Sequence, residues 1–114
     1  MTFRATAREI QGITVVDLSG RITLGEGSAM LREMVRDLLN KGQKKIVLNL
    51  GDVNYIDSSG IGELVSGYTT VTSQGGELKL LNLTKRVHDL LQITKLFTVF
   101  DVYSDERTAV RSFQ

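Results

Sequence analysis

The sequence predicts an α/β fold: a mixed β-sheet with its helices packed mainly on one face. Three observations carry that expectation. The chain opens with two β-patterned segments, residues 3–9 and 13–19, around an Ile10-Gln11-Gly12 turn. From Ser28 onward, helical and strand patterns alternate. In residues 44–50, Ile46, Leu48 and Leu50 fall on one face and Val47 on the other, the two-sided apolar pattern of an inner strand.

The elements follow in order. Residues 3–9 alternate loosely, as an edge strand does, and residues 13–19 are a β-branched hairpin partner bounded by Gly12 and Gly20. Residues 21–24 read as a short third strand before a Gly25-Glu26-Gly27 loop. Ser28 can cap the first helix. Its apolar stripe is Leu31, Met34, Val35, Leu38 and Leu39, and Gly42 ends it. After the strand at 44–50, residues 51–56 lead into Asp57-Ser58-Ser59-Gly60 and a second helix. That helix turns Ile61, Leu64, Val65 and Tyr68 inward and Gly60, Glu63, Gly67 and Thr70 outward. Gly75-Gly76 is a turn before a strand at 78–83. Thr84 caps a third helix with Val87, Leu90 and Leu91 inward. A last short strand at 98–103 and a helix at 104–113 complete the order β-β-β-α-β-α-β-α-β-α.

The chain has 114 residues, read as one domain spanning 1–114. Surface scaling gives about 6,200 Å² folded against roughly 18,000 Å² unfolded, enough burial for a core without a metal or disulfide staple. Fourteen basic residues face thirteen acidic ones, for a net charge of +1. Such a balance makes no broad field for nucleic acid or anionic lipid, so direct nucleic-acid and membrane partners are not expected. With no Cys, disulfides, thiolate metal sites and cysteine nucleophiles are excluded. The first nine residues lack the apolar core of a signal peptide, and no stretch approaches about eighteen apolar residues. A cytoplasmic protein is the expectation.

Enzyme motifs are sparse. There is no Gly-Lys dipeptide for a P-loop. Gly25-Glu26-Gly27 is followed by Met30 where a dinucleotide fingerprint needs Gly, and neither Ser58 nor Ser59 has the flanking glycines of a nucleophile elbow. The one histidine, His88, stands beside Asp89 in the third helix and reads as an ordinary helix-surface side chain. No His/Asp/Glu cluster has metal-ligand spacing. The expectation is a non-enzymatic protein without cofactor or metal.

The unusual segment is Tyr55-Ile56-Asp57-Ser58-Ser59-Gly60-Ile61-Gly62. It gathers short polar residues and two glycines at a helix N-terminus, where unpaired N–H groups carry about half a positive charge. One reading is purely structural: Asp57 or Ser58 caps the helix, worth about 1 kcal/mol, and the glycines permit a tight entry or packing on a loop of the same chain. The other starts from the cost of Gly60 and Gly62, about 1 kcal/mol each against Ala inside a helix. With Gly67 they would form a low strip that another backbone can approach closely. A phosphoserine at the helix start is electrostatically welcome, so its charge of about −1.5 to −2 would act on a docked partner and not on the fold.

At these residues the sequence resembles the STAS domain family, and within it the stand-alone bacterial anti-sigma factor antagonists. The resemblance rests on Val47-Leu48-Asn49-Leu50, on the run from Val53 to Gly62, on Gly75-Gly76-Glu77-Leu78-Lys79-Leu80 and on the run from Val87 to Leu96. It implies a partner-switching module. The unphosphorylated form would bind a serine-kinase anti-sigma factor and free its sigma factor; the kinase would phosphorylate Ser58, and a PP2C-type phosphatase would reverse it. By the same resemblance Asp57, Ser59, Gly60, Ile61 and Gly62 surround the phosphosite, and the loop Thr23-Leu24-Gly25-Glu26-Gly27 contributes to the partner surface. One departure is visible: many antagonists carry an acidic residue two positions after the glycine that follows the second strand, whereas after Gly20 this chain reads Arg21-Ile22-Thr23, with no acidic residue. The alternative is therefore a divergent STAS scaffold or interaction module without a sigma-factor partner.

Overall fold

A computed structural model describes residues 3–113. Five strands form one sheet in the spatial order of the chain, β1 (Arg4–Ile10), β2 (Ile13–Ile22), β3 (Lys45–Ile56), β4 (Glu77–Leu81) and β5 (Val102–Tyr103). β1 runs antiparallel to β2; the pairs β2–β3, β3–β4 and β4–β5 are parallel. The helices are α1 (Glu26–Asn40), α2 (Ser58–Ser73), α3 (Lys85–Ile93) and α4 (Glu106–Arg111).

The expected mixed sheet is present, and its two faces are unequal. Val16, Leu18, Ile46, Leu48, Leu50 and Leu80 meet the apolar stripes of α1, α2 and α3 in one large core. On the other face a smaller cluster of Ile13, Val15, Val47 and Leu81 packs against Ala109, Val110 and Phe113 at the C-terminal helix. The strict alternation at Ile46, Val47 and Leu48 explains this split, because successive side chains of a strand point to opposite faces.

Three boundaries differ from the sequence reading. The short third strand at 21–24 does not stand alone: β2 continues to Ile22, because Gly20 adopts φ 95° and carries the strand through an irregularity where a bulkier residue would end it. Residues 51–56 belong to β3. That strand fits in two extra residues opposite β2, between the pairs Asp17–Asn49 and Ser19–Asp52 and between Gly20–Val53 and Arg21–Tyr55. At the far edge, the expected strand at 98–103 begins within a single 3₁₀ turn, Phe97–Val99, and only Val102–Tyr103 is paired. The hairpin turn of Gln11 (φ 52°) and Gly12 (φ 82°) has the paired positive φ values that match the twist of two antiparallel strands.

Candidate functional site

β3 outruns β4: pairing with β4 ends at Asn49, whereas pairing with β2 continues to Ile22–Ile56. Beyond that end the chain turns sharply into α2. Asp57 has an extended backbone (φ −109°, ψ −173°) and is the N-cap residue; its Oδ1 accepts a hydrogen bond from the Gly60 N–H at 2.9 Å. The capping residue is therefore Asp57, leaving Ser58 as the exposed first residue of the helix.

The same carboxylate has a second task. Its Oδ2 accepts from the Leu24 N–H at 3.1 Å, and the Asp57 N–H donates to the Ile22 carbonyl at 3.3 Å. The Thr23-Leu24-Gly25 loop is thereby fastened to the start of α2. Partial burial raises the Asp57 pKa, but the N–H donors of Gly60, Leu24 and Ser59 outweigh it and hold the carboxyl below the usual carboxylate range. The group stays charged at neutral pH, as both of its bonds require.

Both loops lean on the end of β2. A Cβ on Gly60 would overlap the Ile22 carbonyl oxygen and crowd the Ile56 side chain, and a Cβ on Gly27 would overlap the Arg21 carbonyl. Gly60 and Gly27 thus let the two helix starts close over Arg21 and Ile22. This corrects the expectation of a flat outward strip. Gly60 is buried, and Gly67 lies half-buried near Val35 and Leu78, where α1 passes α2. Ile61 is 4% exposed and belongs to the large core. Only Gly62 matches the expected open position, with nothing within 4 Å of a Cβ built on it.

The first helix also starts earlier than expected. α1 begins at Glu26, and Gly25, at φ 98°, occupies the N-cap position without a side-chain bond. Ser28 is not the cap: it lies in the first turn, 4% exposed, with its hydroxyl unpartnered among the described residues. Glu26 and Gly27, expected in the loop, are helical, so the loop proper is Thr23-Leu24-Gly25. Leu24 projects from it 80% exposed. A bidentate pair from Arg32 on α1 to Glu63 on α2 (3.2 and 2.8 Å) ties the two helices behind these loops.

The site thus brings together exposed Ser58, Leu24 and Gly62, half-buried Asp57, Ser59 and Thr23, and Gly25 at the turn. Gly60 and Ile61 shape it from beneath. Tyr55, Arg21 and Arg86 also gather here, a cluster that the sequence reading did not assemble. The Arg21 guanidinium carbon is 4.8 Å from the Tyr55 ring centroid and that of Arg86 is 4.2 Å from it. Arg86 lies in another element about thirty residues further on, so spacing along the chain gave no hint of this meeting. Among the described residues no group of three or more His, Cys, Asp or Glu side chains could hold a metal ion, and no helix is long and apolar enough to cross a membrane.

A family model of the STAS domain matches residues 4–109. The chain belongs to the STAS domain family. Two curated relatives extend the match along nearly the whole molecule. An anti-sigma F factor antagonist of Paenibacillus polymyxa is 30% identical over 105 residues, covering 91% of this chain and 89% of the relative. An anti-sigma-B factor antagonist of Bacillus subtilis is 31% identical over 111 residues, covering 97% of this chain and all of the relative. Among solved structures, Thermotoga maritima TM1081 superposes with a TM-score of 0.87 at 26% identity, covering 95% of this chain and 92% of that one. Within this STAS fold, the sheet order, the three helices on one face and the Asp57 turn at the end of β3 form one framework.

Proposed function

We propose that this STAS protein is an anti-sigma factor antagonist, whose partner docks over the Asp57–Ser58–Gly62 turn and the neighbouring Thr23-Leu24-Gly25 loop. The names of its relatives support an anti-sigma factor as the partner class. We further assign that partner as a serine kinase, Ser58 as its phosphorylation site and a PP2C-type phosphatase as the enzyme that resets it.

One observation carries the reading: Ser58 is exposed at the first position of a sixteen-residue helix, directly after a cap that already satisfies Gly60. A kinase can reach that hydroxyl without unfolding anything. Transfer makes a bond from Ser58 Oγ to the γ-phosphorus of ATP, breaks the bond to ADP and gives the hydroxyl proton to a base of the kinase. The new phosphoryl group sits where the helix dipole favours an anion, so the helix tolerates it. A docked partner does not, because charge and bulk enter a desolvated interface. A loss of about 2.7 kcal/mol already weakens binding roughly 100-fold.

The test is phosphorylation by the cognate kinase and ATP, read by peptide mass spectrometry, alongside binding of the Ser58→Ala and Ser58→Asp variants. Modification at Ser58 with binding kept in Ser58→Ala and lost in Ser58→Asp supports the switch. A kinase that is active on a control substrate yet leaves Ser58 unmodified would point instead to a STAS scaffold without a switch.

A further inference from the structure

Tyr55 lies on β3 three residues before Ser58 and is paired in register with Arg21 on β2. Arg86, in the first turn of α3, approaches the same ring. Both arginines are exposed, and among the described residues neither makes an ion pair or a hydrogen bond to a carboxylate. Arg8 and Arg32 behave differently: the first is forked by Asp17 and Glu106, the second by Glu63. The carboxylates nearest in sequence to the three residues are engaged elsewhere: Asp57 by the Leu24 and Gly60 amides, Asp89 by Lys85 and Asp17 by Arg8. Two guanidiniums of like charge are therefore held against one aromatic ring without neutralisation, in a chain whose overall charge is only +1.

We infer that Arg21, Tyr55 and Arg86 are an acid-recognising extension of the docking surface, fitting a partner protein that sets Asp or Glu side chains opposite the two arginines. The inference rests on the proposed function, because it takes the partner to be the one that docks over Ser58. Continuity of the surface supports this. Arg21 and Leu24 are separated by two residues, and the Leu24 amide is fastened to Asp57 beside Ser58. The exposed Leu24 side chain supplies an apolar anchor on the loop fastened to Asp57, and the exposed arginines supply a cationic flank. Stacking on Tyr55 restrains both forks, so less side-chain freedom is lost when each takes a bidentate carboxylate. Complementary charge at such a flank sets partner choice and speeds encounter, and its contribution fades as salt rises.

The experiment uses the full chain and the cognate kinase of the test above. Affinity is measured by calorimetry at about 50 and about 500 mM salt, where the screening length falls severalfold. The wild type is compared with Arg21→Glu, Arg86→Glu, the double reversal, and the milder Arg21→Gln and Arg86→Gln, each checked for an unchanged melting transition. The expected result is at least a tenfold loss for each reversal at low salt, a smaller loss for each Gln variant and a flattened salt dependence in the double reversal. Wild-type binding and Ser58 phosphorylation that persist with unchanged affinity and salt dependence in the double reversal would overturn this surface while leaving the proposed function intact. A wild type that neither binds the kinase nor is phosphorylated by it would overturn both.

Discussion

The Asp57 carboxylate and the Leu24 amide, thirty-three positions apart, meet at 3.1 Å, while the other oxygen of the same carboxylate caps α2. One side chain thus sets both the start of the helix and the position of the loop that carries the exposed leucine. Replacing Asp57 with Ala removes both bonds at once. The expected cost is about 1–2 kcal/mol, the upper part of the range for a lost cap. Hydrogen exchange should speed up at the Leu24 and Gly60 amides more than at the strand amides of β3. Unchanged protection at Leu24 would mean that the carboxylate does not hold the loop.

The glycines of the turn should separate cleanly under mutation. Gly60→Ala drives a methyl group into the Ile22 carbonyl, which is backbone and cannot swing aside. The loss should be about 1–3 kcal/mol, as for overpacking elsewhere. Gly62→Ala meets nothing within 4 Å and gains helix propensity, so the fold should gain about 0.5–1 kcal/mol. Gly62→Leu should likewise leave the fold intact while blocking a partner that docks over the turn. Chemical denaturation ranks the variants; equal stabilities for Gly60→Ala and Gly62→Ala would contradict the packing against Ile22.

That contrast also marks what could be read from the residues. The two-sided pattern at Ile46–Leu48, the stripe from Leu31 to Leu39 and the Thr84 cap are local signals, and each appears as expected. The cost of glycine in a helix correctly singled out Gly60 as special, but not the direction in which it is needed. An outward strip and an inward close approach predict the same residue, and only the position of the Ile22 carbonyl decides between them. Ser28 misled for a similar reason: a serine near a helix start resembles a cap, yet the loop turns at Gly25 and places the hydroxyl indoors. The meeting of Arg21, Tyr55 and Arg86 depends on three separate elements and has no local signature at all.

Ser58→Asp should separate binding from stability. The added carboxylate at the first helical position gains about 0.3–1 kcal/mol from the helix dipole and loses part of it to the neighbouring Asp57 charge. The melting temperature should shift by less than about 4 °C in a domain of this size. A fall several times larger would show that position 58 cannot accept an anion without disturbing the turn.

Lys79 should behave as a clamp for the C-terminal helix. It is 5% exposed, and its ammonium donates to the Ser112 carbonyl at 3.1 Å and the Ser112 hydroxyl at 2.9 Å, 4.5 Å from the Phe113 ring centroid. Glu77 at 3.6 Å and Asp101 at 4.0 Å balance its charge. Lys79→Ala should cost about 1–3 kcal/mol, from the unpaired acceptors and the lost packing of the stem. Hydrogen exchange should rise first in α4 and the smaller core, with α2 and the Ser58 turn unaffected. Equal loosening on both faces of the sheet would show that Lys79 supports the whole domain.

Acid should loosen the molecule through a small set of carboxylates. For Asp57, partial burial opposes the shift, and the amide donors overcome it to leave the pKa lowered. Asp17 and Glu106 are lowered chiefly by their hydrogen bonds to Arg8. A lowered folded-state pKa means that the unfolded chain binds more protons in acid, so stability rises with pH through that window. Their contribution is complete above the unfolded value of about 4 and is lost as pH falls through the still lower folded values. Melting temperature should therefore decline below about pH 4. Asp57→Asn should lower stability at neutral pH and flatten that decline, because its amide offers one acceptor and no titrating charge. Arg8→Gln should flatten it as well, by releasing Asp17 and Glu106 toward their unfolded values. The two effects should add, since the Asp57 turn and the Arg8 cluster share no bonding partner. A double variant with the acid slope of the wild type would assign the loss to other groups.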